Sequence, residues 1–559
     1  MSWANIAAYY RSERESGARV SSAGEDRRRN MVNLAPVLLA AALRLILLGM
    51  KPPHFDEGVN GWFVDEMTKK GFYHYDPTNY HGPFHFYVLF LFQMLFGRHI
   101  WALRLPIAAI STATVYLVTR FDPFLDRRVC LFAAFAMAVS PGDVFYSRYA
   151  IHEAWLVFFM ILAVWGFAGL WKWGNIRSLW AAALGITGMI LTKETYIIHL
   201  GCFALAAVCV AAWEPFSPSL SPPLAPSRWS ARDLSIIVLV CLGAIFFFYS
   251  GTLLDFSSLK GLYQTFHEWI KTGNEGHGHE KNWSYWLQLI AIYEWPALIG
   301  VGCSVRYLLP GSNRLLRFLA IYGCGALAAY SIIRYKTPWC VISLLWPFFF
   351  LFGGVVEDFT ELLGGRKRPS ILFAACATLL LAASAADSVR LNFFRYVDPD
   401  EKYVYVQTLN DIYKLTGPLK KMAARDPANY QMQGNILLSS YHPLPWVLGD
   451  FPHVGYYSDD MKPDKMDADF LLVEDSRVAE VEKALKNSYF TTDLQLRDGQ
   501  GSSTLFLDAG KFQSLFPGQD PDFDPDTDAP EETPKKDAGK PAPSAKAAPS
   551  GKAAPSTKP

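Results

Sequence analysis

The sequence predicts an α-helical polytopic membrane protein of about eleven transmembrane helices, with a small C-terminal extracytoplasmic α/β domain and a disordered tail. Three observations predict it. The chain is 51% hydrophobic and 15% aromatic but only 18% charged, against about 25% charged in a soluble domain. Its apolar residues are segregated into long runs, the pattern of a chain that crosses a bilayer repeatedly. After residue 388 the runs give way to short strands alternating with helices. The net charge of +1 supplies no field for nucleic acid, so that class of partner is excluded.

The elements follow in order. Residues 1–30 are basic (RSERESGARV, EDRRRN) and precede the first apolar run, NLAPVLLAAALRLILLG at 33–49. The run is followed by MKPPHFDEG and not by an A-x-A-like site, so it reads as a retained anchor. A polar, aromatic loop fills 51–84. Residues 84–96, FHFYVLFLFQMLF, are too few for a span of roughly twenty residues and read as a helix lying in the interface or re-entering the membrane. Further runs fall near 101–119, 129–144, 149–171, 178–196, 197–213, 233–252, 284–305, 315–333, 338–354 and 370–387. If 84–96 does not cross, the N-terminus is cytoplasmic, and RFDPFLDRR, WKWGNIR, SRWSARD, RYLLPGSNRLLR and EDFTELLGGRKRP all face the cytoplasm. Each carries Lys or Arg, as the positive-inside rule requires. All twelve histidines then fall in outer loops or near the outer ends of spans. The eight cysteines lie in apolar runs without metal-type spacing and read as free, buried residues.

The membrane domain therefore occupies 31–387. In 388–515, VYVQTLNDIYKLTGPLKKMAA and RVAEVEKALKN read as helices, and GNILLSS, ADFLLVED and STLFLDA as strands. Residues 516–559 are Pro/Ala/Lys-rich with almost no large apolar side chain, and read as disordered.

The chemistry-bearing residues cluster at span ends. Asp56 and Glu57 form an acidic pair just after the first span, suited to general-base work or to a divalent metal. A solvated loop pair or a helix cap has the same sequence. His81 and His85 are four apart and could share a helix face, either in a structural or substrate-contacting role or on a metal. YSRYAIHE supplies Arg148, His152 and Glu153, LTKE supplies Lys193, and RYKTPW supplies Arg334 and Lys336. Convergence of Arg148, Lys193, Arg334 and Lys336 would make a cationic pocket for a lipid phosphate. Snorkelling to headgroups or a plain Lys193–Glu194 pair would use the same residues otherwise. Glu294, inside an apolar run, is functional by default unless a partner such as a tyrosine hydroxyl satisfies it. The HGHE loop (His277, His279, Glu280) sits among Gly, Asn and Lys and reads as solvated or substrate-gating.

The ordered set FDEG, YDPTNYHGP, WALRLPIA, SRYAIHE, LTKE, YKTPW and HPLPWVLGD, spread over roughly 33–455, resembles the GT-C glycosyltransferases. Within them it is similar to protein O-mannosyltransferases and aminoarabinose transferases, and closest to the flippase-activity-associated proteins of archaea and bacteria. The C-terminal α/β domain departs from the β-trefoil of eukaryotic O-mannosyltransferases. The resemblance implies transfer of a sugar from a polyprenyl-phosphate donor to an acceptor (protein, glycan or lipid) on the outer face. It implies Asp56 as catalytic carboxylate with Glu57 its neighbour, and Arg148 and Lys193 near the donor phosphate. His81, His152, Glu153 and Glu294 would position acceptor or substrate. A divalent metal is the one cofactor considered, with Glu57 and His81 nearest to it. The rivals are a lipid-linked sugar flippase and a non-catalytic assembly protein.

Overall fold

In lipid a backbone must satisfy its own N–H and C=O groups, so apolar runs become helices. The computed structural model describes residues 23–79, 81–275, 279–363, 367–458 and 461–528. Among them seven helices are long and apolar enough to cross a membrane: Ile100–Thr119, Glu153–Trp173, Tyr196–Trp213, Ala231–Tyr249, Arg314–Ile332, Pro338–Leu362 and Pro369–Phe394. An eighth crossing exists if Arg127–Val139 and Pro141–Ser147, bent by 57°, form one span. The protein is thus a multi-pass membrane protein, but the expected eleven spans are not eleven long helices. The first helix, Ala23–Leu45, is apolar only over Met31–Leu45, and Ile176–Thr192 has 17 residues. The run 284–305 splits at Glu294 into Tyr285–Tyr293 and Trp295–Gly302. Glu294 leaves the helical region (φ −115°, ψ 57°), and Pro296 behind it has no N–H to continue the ladder. Phe84–Phe96 is a 13-residue helix, short as expected.

Burial separates the helices. The Pro338–Leu362 window is 89% buried and forms the middle of the bundle, whereas Ala231–Tyr249 is 6% buried and presents its surface to lipid. Helices associate in lipid by close packing, because apolar contact alone gains nothing over lipid tails. Gly353 illustrates this: a Cβ there would collide with the Val129 carbonyl of the neighbouring helix. The two helix breaks face each other. The Ser140 hydroxyl (2.7 Å), the Gly142 N–H (2.7 Å) and the Tyr403 hydroxyl (3.0 Å) all donate to the Glu294 carboxylate. Broken backbone at membrane depth is tolerated because it is satisfied inside the protein.

The C-terminal domain is a mixed five-stranded sheet of order β2-β1-β3-β5-β4. Its strands are β1 (Gln433–Leu437), β2 (His453–Tyr456), β3 (Phe470–Glu474), β4 (Tyr489–Leu494) and β5 (Ser503–Asp508). Strand β1 is parallel to β2 and β3, and β5 is antiparallel to β3 and β4. Phe470 to Val473 are all buried, as a central strand covered on both faces requires. The Ile412–Arg425 helix lays Ile412, Leu415 and Leu419 on one face. Val481, Leu485 and Phe523 cover the other. The domain therefore runs past the expected boundary at 515: Phe523 pairs with Tyr489 and is buried. The expected tail lies, from residue 529, outside the described residues, as do residues 1–22 of the basic N-terminus.

Candidate active site

The acidic pair opens the Phe55–Lys70 helix, and its two members have opposite surroundings. His54 is the N-cap: its Nδ1 accepts from the Asp56 N–H, while Glu57 at N3 reaches back to the His54 N–H, a capping box. Glu57 is fully buried against Arg104, itself fully buried. Its Oε1 accepts from Arg104 Nε (2.7 Å) and the Ala150 N–H (2.8 Å). Its Oε2 accepts from an Arg104 Nη (2.6 Å) and the His54 N–H (2.9 Å). A carboxylate has about four lone-pair sites, and all are filled. Glu57 is thus placed as a buried anchor, with no vacant oxygen for a metal or a proton. Asp56, one residue earlier, is half-buried, and its carboxylate has no hydrogen-bond or ion-pair partner among the described residues.

The Arg148–Glu153 stretch ties this helix to the bundle. Arg148 donates to the carbonyls of Leu43 (3.0 Å), Arg44 (3.2 Å), Ile46 (2.7 Å) and Leu47 (2.8 Å), capping the C-terminus of the first helix. The Ala150 carbonyl accepts from Asn60 (2.8 Å) and His85 (3.2 Å). The His152 ring lies 4.0 Å from the His85 ring and 4.5 Å from the His81 ring. Glu153 pairs with Lys193, and Lys193 Nζ lies 3.8 Å from Cys340 Sγ. His81 Nδ1 lies 2.9 Å from Glu194. His85 Nδ1 and His152 Nε2 are buried without a hydrogen-bond partner.

The four cations expected around a phosphate do not form one pocket. Arg148 is engaged with helix-end carbonyls, and Lys193 with Glu153. Lys336 Nζ donates to the carbonyls of Lys281 (3.2 Å) and Ile333, and Arg334 is exposed. Only Lys193 and the RYKTPW segment meet, through Cys340. Glu294 is held by the partners that brace the two helix breaks, among them the tyrosine hydroxyl that the sequence left open. Among the described residues no group of three His, Cys, Asp or Glu side chains is placed to hold a metal ion. With Glu57 saturated as well, the residues present do not fit the divalent metal considered from sequence. His279 reaches the Tyr405 hydroxyl (2.7 Å), and His277 lies outside the described residues.

Several residues of the site went unread in the sequence. Arg104 and Arg44 are fully buried inside apolar runs. The test applied to Glu294, a charge in an apolar run, applies equally to WALRLPIA and to the first run, NLAPVLLAAALRLILLG, and would have found them. Lys51 is buried with its Nζ 3.4 Å from the centre of the Phe145 ring. His54, Tyr149, Trp339 and Tyr405 form an aromatic wall beside the helix start.

The C-terminal domain completes the surroundings through HPLPW. A Cβ on Gly58 would strike the Pro443 backbone, and one on Gly61 would strike the Trp446 indole, so the two elements are closely packed. Arg98 bridges Asp65 (2.7 Å) and Asp450 (2.9 Å) across this junction. The His442 ring lies edge-on 5.3 Å from Phe55, and Arg497 lies over the Phe55 ring while donating to the His442 carbonyl (2.6 Å). Burial, with Arg497 beside it, pushes the His442 imidazole down to about 4, and Asp56 pulls weakly the other way.

No curated protein matches the chain in sequence. Residues 80–244 match the family model of dolichyl-phosphate-mannose-protein mannosyltransferase. The crystal structure of ArnT from Cupriavidus metallidurans bound to undecaprenyl phosphate is similar at TM-score 0.56 and 14% identity, over 85% of this chain and 97% of that one. The apo structure of the same protein gives TM-score 0.53 at 15% identity, over 86% and 98%. The chain shares the fold of these ArnT structures, as the sequence resemblance implied.

Proposed function

We propose that the protein moves a sugar from a polyprenyl-phosphate donor to a hydroxyl acceptor on the extracytoplasmic face, with Asp56 as general base. The observation that carries this reading is the contrast between Glu57, saturated and buried, and Asp56, half-buried and unpartnered at the start of the same helix. A base must be able to receive a proton, and of the pair only Asp56 has vacant oxygens. The GT-C fold supports a lipid-phosphate donor, since its solved relative is described as bound to undecaprenyl phosphate.

In this reading the acceptor oxygen attacks the anomeric carbon while its proton passes to Asp56. The bond from that carbon to the lipid phosphate oxygen breaks, and the phosphate leaves with the electron pair. A single displacement inverts the anomeric centre. In this reading Lys193, buried and ion-paired with Glu153, is the cation assigned to the leaving phosphate, and His81, the most exposed ring of its cluster, is held nearby through Glu194. Preorganised donors at a developing anion lower the barrier because they need no rearrangement. Arg148 acts at a distance, by fixing the stretch that carries His152 and Glu153. The flippase alternative drew on Glu294, whose carboxylate is engaged in holding two helix breaks together.

The test is transfer of label from polyprenyl-phosphate sugars in purified membranes, comparing the unaltered protein with Asp56→Asn at matched expression. Transfer by the first with inverted configuration, and its loss in the second, supports the reading. Retained configuration, or equal transfer by both, removes Asp56 as base of a single displacement.

A further inference from the structure

We infer that the acceptor hydroxyl is held between Asp56 and His442, so that the C-terminal domain supplies one wall of the acceptor site. The inference rests on the transferase reading above and assigns that reading's missing acceptor contact.

Three independent features meet at this point. The first is placement. Pro443 and Trp446 sit where side chains on Gly58 and Gly61 would be, which fixes HPLPW on the helix that begins with Asp56. His442 immediately precedes this contact, with its ring against Phe55. The second is vacancy. His442 Nδ1 is buried without a hydrogen-bond partner, and Asp56 has none among the described residues. A buried polar atom normally has a partner, so an orphan on the residue packed against Phe55, next in the chain to a free carboxylate, marks where a substrate atom would complete the set. The third is rigidity. Arg497 holds the His442 carbonyl (2.6 Å), stacks on Phe55, and donates to Ser440 Oγ (2.7 Å) and Gln500 Oε1 (2.8 Å). The loop bearing His442 is therefore fastened from both sides.

The chemistry follows from the charge state. A neutral imidazole donates at one ring nitrogen and accepts at the other. It can therefore orient a hydroxyl by a hydrogen bond at either ring nitrogen. His442 is thus an acceptor-positioning residue, and Asp56 remains the base.

The experiment uses the full chain in proteoliposomes fused with native membranes that lack the protein, supplied with labelled polyprenyl-phosphate sugars. Acceptor dose is varied by the amount of membrane added, and donor dose separately. Variants are His442→Ala, His442→Gln and Asp56→Asn, with the thermal midpoint of each measured in detergent. The expected result is that His442→Ala raises the half-saturating acceptor dose about three- to ten-fold, the value of one neutral hydrogen bond. The half-saturating donor dose and the midpoint stay put, and His442→Gln, which keeps a donor and an acceptor, returns the acceptor dose to within about two-fold. Unchanged acceptor dose in His442→Ala, with Asp56→Asn inactive, overturns this inference and leaves the transferase reading standing. Parallel loss of donor dose, acceptor dose and midpoint assigns His442 a purely structural role and also overturns it. No transfer by the unaltered protein removes the transferase reading and this inference together.

Discussion

The two ends of the Arg148–Glu153 stretch differ in one respect that organises the site. At one end Arg148 commits both its Nη groups to four carbonyls of the first helix, with only its Nε unpartnered, and Ala150 meets Glu57, whose carboxylate is saturated by Arg104 and backbone N–H groups. At the other end His152 lies among His81 and His85 with two ring nitrogens unpartnered, and Glu153 meets Lys193. Both ends are buried and both are rich in ionisable groups. The difference teaches that charge in an apolar protein is not by itself a sign of chemistry. A fully satisfied charge holds the scaffold, and an unsatisfied group beside it is available to a substrate. The same division separates Glu57 from Asp56.

The sharpest way to break this comparison is to remove a saturated partner. Arg104→Ala leaves Glu57 buried and uncompensated, at a cost of about 3–5 kcal/mol. The expected outcome is loss of folded protein, read as a collapse of monodisperse yield in detergent. Next in size is Asp56→Asn, which should cut transfer by about 10²–10⁴-fold with the thermal midpoint unchanged. A smaller effect is expected where the C-terminal domain meets the helix. Gly61→Ala forces Trp446 away and should cost about 1–3 kcal/mol, read as a lower midpoint and as faster proteolysis at the junction. The smallest is a pH effect. The folded His442 titrates at about 4, below the ordinary value near 6.5. Between those values the unfolded chain binds more protons than the folded one, so stability falls as pH drops through this window. His442→Gln should flatten that part of the stability profile, measured by thermal midpoint from about pH 7 to pH 4.

Much of the fold was legible because lipid imposes a simple code. Seven of the expected runs became long helices, and Phe84–Phe96 kept its short length. What was not legible is where a helix breaks. Ser140 and Glu294 sit in runs that read as unbroken spans, and their breaks depend on each other through hydrogen bonds between distant segments. In the C-terminal domain the apolar strands β1, β3 and β5 stood out, whereas β2 (HVGY) and β4 (YFTTDL) are edge strands whose weaker apolar content gave no signal. In the site, Asp56 and Lys193 were singled out by their place beside spans, but spacing could not reveal that Arg148 faces carbonyls. Glu57's role required knowing that Arg104, 47 residues away, points at it. His442 was quoted only within a motif, because its value lies in a contact with Phe55 formed across the whole chain.

The measurement that bears most directly on the account pairs Asp56→Asn with Glu57→Gln in one preparation, reading sugar transfer and thermal midpoint side by side. The account predicts that Asp56→Asn loses transfer and keeps the midpoint, while Glu57→Gln lowers the midpoint first and loses transfer only in proportion to folded protein. The reverse pattern, with Glu57→Gln stable but inactive and Asp56→Asn stable and active, would contradict it.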